Sequence, residues 1–203
     1  MSREQILAYL EEHREQHVEQ LQELLRIPSI SAESERKEDI AAAARWVADE
    51  FERLGLATEL IATDGNPLVY AESEQRSDRP TLLFYGHYDV QPVDPLELWE
   101  TPPFEPRVQD GVIYARGASD DKGQFFAHCK ALEAYTEQGI ELPVNVKLII
   151  EGEEEVGSPH LGVFAREYPD LLEADGCLWE TGQKDAARRV VLELGVKGIC
   201  YVE

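Results

Sequence analysis

Short apolar runs alternate along this chain with longer amphipathic stretches, and the most apolar runs end abruptly in glycine, histidine and acid. Residues 81–85 lead into Gly86-His87, residues 144–150 into Glu151-Gly152-Glu153-Glu154-Glu155, and residues 176–179 into Glu180. Residues 81–85 read as a strand covered on both faces, which is an unbroken apolar segment rather than an alternation, and 144–150 as a strongly β-branched strand. Such strands interleaved with helices specify an α/β sheet, and ligands in these sheets bind beyond the carboxyl ends of the strands. The helical stretches are 2–26, where Ile6, Leu7, Leu10, Val18, Leu21, Leu24 and Leu25 recur at mostly helical spacing, then 37–54, 123–138 and 159–168. Pro28 ends the first, because proline disfavours helix at the residue before it, and Gly55 ends the second. Further strands are expected at 58–61, 68–71, 112–115, 190–194 and 198–202, with the proline- and acid-rich 94–109 as a loop.

Charge narrows the partners. The 203 residues carry 19 Lys and Arg against 41 Asp and Glu, a net charge of −22. That excludes nucleic acid, whose phosphates need a basic face, and adsorption to an anionic membrane surface. Hydrophobic residues at 43% are too many for a disordered acidic chain. No apolar run approaches the ~18 residues of a spanning helix, and residues 1–5 lead into a polar stretch with no signal-peptide core. Cys129, Cys177 and Cys200 stand far apart, which fits neither a disulfide framework nor a cysteine zinc site; three reduced thiols in a cytoplasmic protein are expected. The chain stops inside the apolar run 198–202, which predicts that it is part of a longer protein.

Four segments carry chemistry. In Gly86-His87-Tyr88-Asp89, His87 and Asp89 project to the same side of an extended backbone, where a carboxylate can orient a metal-bound imidazole. Asp120-Asp121, flanked by Gly117 and Gly123, precedes a helix and reads either as a cap or as a carboxylate bridging two cations. Residues 151–155 place four acids among five positions directly after a buried strand, where they repel one another unless cations are present. Glu180 closes a fourth strand. One imidazole with several carboxylates is a hard N/O donor set suited to zinc, manganese or cobalt, and a pair of such ions sharing a carboxylate is hydrolytic. The chain has no His-Glu-x-x-His, no Gly-x-Ser-x-Gly and no phosphate-binding loop.

Residues 86–92 (Gly-His-Tyr-Asp-Val-Gln-Pro), Trp99, Pro102-Pro103-Phe104, residues 116–123 (Arg-Gly-Ala-Ser-Asp-Asp-Lys-Gly) and residues 153–158 (Glu-Glu-Glu-Val-Gly-Ser) together resemble one large zinc peptidase family. It includes carnosinase-type cytosolic dipeptidases, acetylornithine deacetylase, succinyl-diaminopimelate desuccinylase, aminoacylase and carboxypeptidase G, and the wording is most similar to the dipeptidase branch. The resemblance implies a zinc-exopeptidase-like α/β domain, with a mixed, mostly parallel sheet and helices on both faces. It implies two divalent metal ions, zinc first, with manganese or cobalt as alternatives. His87 would be a terminal ligand of one ion, Asp89 its orienting partner, Asp120 the bridge, Glu155 a ligand of the second ion and Glu180 the next acidic ligand. Glu154 would be the general base, and a cis peptide bond often follows the bridging aspartate. The implied reaction is hydrolysis of a dipeptide amide bond, with deacylation of N-acyl amino acids and a metal-binding fragment without turnover as alternatives. The resemblance also implies that residues 1–203 are the N-terminal part of a catalytic domain. A lid domain that would make the parent a homodimer, and a second histidine ligand, would lie in a chain of about twice this length. His13, His17, His128 and His160 stand outside the motifs and are expected to be structural or on the surface.

Overall fold

The computed structural model describes residues 3–180, 183–187 and 189–191. In chain order the helices are α1 (Arg3–Glu12), α2 (Arg14–Leu25), α3 (Lys37–Arg53), α4 (Lys122–Glu137), α5 (Leu161–Glu167) and α6 (Pro169–Leu172). The strands are β1 (Ala57–Ile61), β2 (Leu68–Glu72), β3 (Thr81–His87), β4 (Arg107–Gln109), β5 (Val112–Tyr114), β6 (Asn145–Glu151), β7 (Gly176–Leu178), β8 (Gln183–Lys184) and β9 (Val190–Val191).

Strands β6 and β3 lie at the heart of a five-stranded sheet ordered β1-β2-β6-β3-β7. The sheet is mixed: β1–β2 and β2–β6 are antiparallel, while β3–β6 and β3–β7 are parallel, with His87 opposite Glu151. Every residue of β6 is buried, because both of its faces are covered. On one face Val146, Leu148 and Ile150 meet Phe84, Val69 and Ala71, and are covered by Val47 and Phe51 of α3, Phe125 and Cys129 of α4 and Leu24 of α2. On the other, Ile149 joins Leu83, Tyr85 and Tyr70 under Phe164 of α5, with Leu171 and Leu172 of α6 alongside. Successive side chains of a strand point to opposite faces, so cover on both faces calls for apolar residues at successive positions, as in Leu148–Ile150; the buried Lys147 instead sends its Nζ to the carbonyls of Asp170 and Glu173. Helix α3 shows the matching helical period, burying Ile40, Ala43, Ala44, Val47 and Phe51.

The N-terminal stretch is two helices rather than one, with a turn at His13 (φ −97°, ψ 11°), whose ring stacks on Tyr9 at 4.1 Å between centroids. Its buried face is only in part the apolar stripe read from the sequence: Leu24 and Leu25 go inside as expected, Leu7 is exposed, and Tyr9 and His17 go inside instead. The reason is polar. Glu133 of α4 accepts hydrogen bonds from Tyr9 Oη (3.0 Å), His17 Nε2 (3.0 Å), Lys130 Nζ (2.8 Å) and Arg53, and Lys130 also reaches Glu50 (2.6 Å). Burial alone would raise the Glu133 pKa, but hydrogen bonds from Lys130 and Arg53 and their charges outweigh it and lower it from 4.5 to about 2. A carboxylate with a depressed folded pKa stabilises the fold above its unfolded value, and that stability is lost as pH falls towards the folded value. Urea unfolding is therefore expected to show stability declining from pH 4.5 towards pH 2. Glu133→Gln, which removes one of the two carboxylates facing Lys130 and Arg53 and leaves them Glu50, starts about 1 to 2 kcal/mol lower at pH 7 and declines less over that window.

Residues 94–109 are more than a loop. A 3₁₀ turn covers Leu96–Leu98, and β4 pairs with β5 across Asp110-Gly111, whose φ angles of 52° and 77° give the two-residue hairpin turn that Asp-Gly favours. Helix α5 begins at Leu161 rather than at 159, because His160 occupies the N-cap position. Cys129 is buried and Cys177 exposed, both as free thiols. Cys200, the expected strand 198–202 and residues 192–194 lie outside the described residues. Among the described residues no helix is long and apolar enough to cross a membrane.

Candidate metal centre

Because β3, β6 and β7 run parallel, their carboxyl ends share one edge of the sheet. His87 is the last residue of β3 and is fully buried. Its Nδ1–H donates to the carbonyl of Asp89 at 3.0 Å, and the Asp89 carboxylate lies 3.4 Å from the same nitrogen. That leaves Nε2 facing acid: Asp120 Oδ1 at 3.0 Å, Glu180 Oε2 at 3.4 Å and Glu154 Oε2 at 3.8 Å. Burial opposes charge on the ring, but the Asp89 carboxylate and the negative charges of Asp121 and Glu180 prevail and raise the His87 pKa to about 10. The pocket therefore favours positive charge at this point.

Asp120 and Asp121 sit between the hairpin and α4, joined by a cis peptide bond. Asp120 is exposed and Asp121 buried. Asp121 holds the N-cap position of α4 without a capping hydrogen bond; its Oδ2 instead accepts the His87 backbone N–H at 3.1 Å. This approach explains Gly86, where a Cβ would lie 2.4 Å from that carboxylate oxygen. Burial raises the Asp121 pKa to about 8, opposed by His87 and assisted by Glu180 and Asp120.

The acidic run after β6 is a folded turn rather than a solvated loop. Residues Glu154–Val156 form one 3₁₀ turn, closed by Gly157 at φ 89°. The carboxylate of Asp89 accepts the backbone N–H of Glu154 (3.3 Å) and of Glu155 (3.1 Å). One buried side chain thus holds both the imidazole and the acidic turn. Gln91 Nε2 donates to the Glu155 carboxylate at 2.7 Å. Burial raises the Glu155 pKa, and the charges of Asp120 and Glu154 add to it. Glu180, two residues beyond β7, is raised to about 7 by burial, with His87 opposing and Glu154 and Asp120 adding.

Six residues singled out by sequence, His87, Asp89, Asp120, Glu154, Glu155 and Glu180, thus gather at one sheet edge. Two overlapping sets bring ligand atoms within 4.8 Å of one another: His87 with Asp120 and Glu155, and His87 with Asp121 and Glu180. Asp121 Oδ1 and Glu180 Oε2 are buried without a hydrogen-bond partner, and a buried polar atom left unpaired is costly. An imidazole nitrogen among crowded carboxylates, two of them with an unsatisfied oxygen, fits a divalent cation of the zinc, manganese or cobalt type. Sequence reasoning passed over Asp121, whose place before a helix reads as a cap, and Gln91, although it lies within the 86–92 motif. The other histidines are engaged elsewhere: His13 stacks on Tyr9, His17 contacts Glu133, His128 packs 4.8 Å from the Phe84 ring, and His160 contacts Glu153.

Comparison with known proteins agrees with this arrangement. The sequence profile of peptidase family M20/M25/M40 matches residues 83–195, a span that takes in all six residues. A Cys-Gly metallodipeptidase of Schizosaccharomyces pombe is 31% identical over 99% of this chain and 45% of its own length. The crystal structure of human carnosine dipeptidase 1 superposes with a TM-score of 0.83 at 31% identity, covering 87% of this chain and 40% of that one. An M20 family metallo-carboxypeptidase of Sulfolobus solfataricus superposes with a TM-score of 0.78 at 41% identity, covering 85% of this chain and 39% of that one. The chain thus spans less than half the length of these relatives. The profile match covers more than half of the chain and includes the strand ends where the carboxylates and His87 converge: this chain belongs to peptidase family M20/M25/M40.

Proposed function

We propose that this chain supplies residues for metal-dependent hydrolysis of dipeptide amide bonds. The observation that carries the reading is the convergence of Asp120, Glu154 and Glu180 within 3.8 Å of the buried His87 Nε2. In this reading His87, Asp120, Glu155 and Glu180 would hold two divalent cations, zinc first, with Asp120 as the carboxylate shared by both. Bound there, such cations lower the pKa of a water molecule towards about 7 and polarise the scissile carbonyl.

The remaining work falls to side chains. Glu154, part-exposed and 3.8 Å from His87 Nε2, accepts the proton of the attacking water as the oxygen–carbon bond forms. It then delivers that proton to the amine nitrogen as the carbon–nitrogen bond breaks. Asp89 anchors the backbone amides of Glu154 and Glu155, so base and ligand keep a fixed offset from His87. The Cys-Gly and carnosine activities named for the relatives favour dipeptides over N-acyl amino acids. Three isolated cysteines suit a cytoplasmic setting, and the implied lid would carry the dimer contact and the further histidine ligand.

Amine release from Cys-Gly, carnosine and N-acetyl amino acids by the enzyme that carries this chain tests the reading. Dipeptide hydrolysis that is lost on chelation and restored by zinc, manganese or cobalt is expected. Turnover unaffected by chelation, or confined to the N-acetyl substrates, contradicts it.

A further inference from the structure

The Asp89 side chain grips the acidic turn from the metal side, and a second grip holds it from behind. Glu153 is nearly buried, and its Oε2 lies 2.7 Å from Nδ1 of His160. The carboxylate can only accept there, so the imidazole Nδ1–H donates. The 63–66 loop closes over one side of the pair, while the other side of the part-exposed His160 borders a cavity of about 300 Å³. A Cβ on Gly65 would lie 2.0 Å from Glu153 Oε1 and 2.6 Å from His160 Nδ1. From the same 63–66 loop, Asn66 Nδ2 donates to the Gly152 carbonyl at 2.7 Å. His160 is itself fixed: its carbonyl accepts the N–H groups of Val163 and Phe164, and Phe164 is buried against the sheet.

We propose that His160 is a positioning residue for the metal centre: its hydrogen bond to Glu153 references the turn bearing Glu154 and Glu155 to α5 and the sheet. This rests on the metal-centre reading above. Glu153 is adjacent to the general base and two residues from a ligand, so freedom at Glu153 becomes displacement at both. Groups that orient ligands from outside the coordination sphere typically change metal affinity about 10- to 100-fold when removed. A purely structural ion pair would change folding stability and leave metal affinity alone.

Zinc titration calorimetry on the full chain separates these roles, alongside thermal melting, for wild type, His160→Ala, His160→Asn and His87→Ala. Asparagine places an N–H where Nδ1 stood and so should rescue. The expected result is zinc affinity about 10-fold weaker in His160→Ala and restored in His160→Asn. His160→Phe, which keeps a ring without the donor, takes the place of the alanine variant if that does not fold. Wild-type affinity in a folded His160→Ala or His160→Phe variant, or weak binding in His160→Asn equal to that of alanine, overturns the positioning role while leaving the centre intact. No zinc binding by wild type, or binding unchanged in His87→Ala, overturns the centre itself and the positioning role with it.

Discussion

In the enzyme that carries this chain, Glu154→Gln is expected, if the proposed reading holds, to lower dipeptide turnover about 10³-fold and to leave zinc affinity close to wild type. The substitution keeps the side chain's length and shape and removes its capacity to take a proton. Glu154 approaches His87 Nε2 no closer than 3.8 Å, the farthest of the three carboxylates around that nitrogen, and it belongs to neither set of converging ligand atoms. Its backbone N–H, rather than its side chain, is what Asp89 holds. The chain of the turn should therefore stay in place when the carboxylate is neutralised. Steady-state kinetics paired with metal analysis checks this. A variant that loses zinc in parallel with turnover would make Glu154 a ligand, and one that keeps turnover would remove it from the proton path.

His87→Ala is expected to weaken zinc binding at least 100-fold, more than any neighbour that only orients a ligand. Both sets of converging ligand atoms contain His87, so its loss breaks each of them at once. The electrostatics point the same way. Without the imidazole, the carboxylates of Asp120, Asp121 and Glu180 face one another with no nitrogen between them, and burial already holds Asp121 and Glu180 towards their protonated forms. Competition titration with a chromophoric chelator reads the loss directly. Retention of wild-type affinity would place the centre elsewhere.

Much of this was legible in the sequence, and the exceptions have physical causes. Strands β3 and β6 announced themselves because burial on both faces concentrates apolar residues at successive positions, Leu82–Tyr85 and Leu148–Ile150. The site was legible for a related reason: His87, Glu151 and Glu180 each follow an apolar run, so their strands had to end together. The N-terminal helices were harder. Their docking face is set by Tyr9 and His17 reaching the buried Glu133, a long-range polar contact that periodicity does not register. Strand β4 was missed because Arg107 and Gln109 are as polar as a loop, although Asp110-Gly111 signals a hairpin. Asp121 shows the deepest limit. Its type and place fit a helix cap, and only the fold reveals that its carboxylate turns back to the His87 amide. The contact between His160 and Glu153 joins a helix start to the acidic turn, and nothing in either local pattern marks it.

Zinc per folded chain, measured by emission spectrometry after dialysis against limiting zinc, tests the central claim most directly. For the enzyme that carries this chain the account predicts about two equivalents per subunit, falling with His87→Ala and unchanged with Glu154→Gln. A chain that is folded and binds no zinc, or binds it equally well without His87, would contradict it.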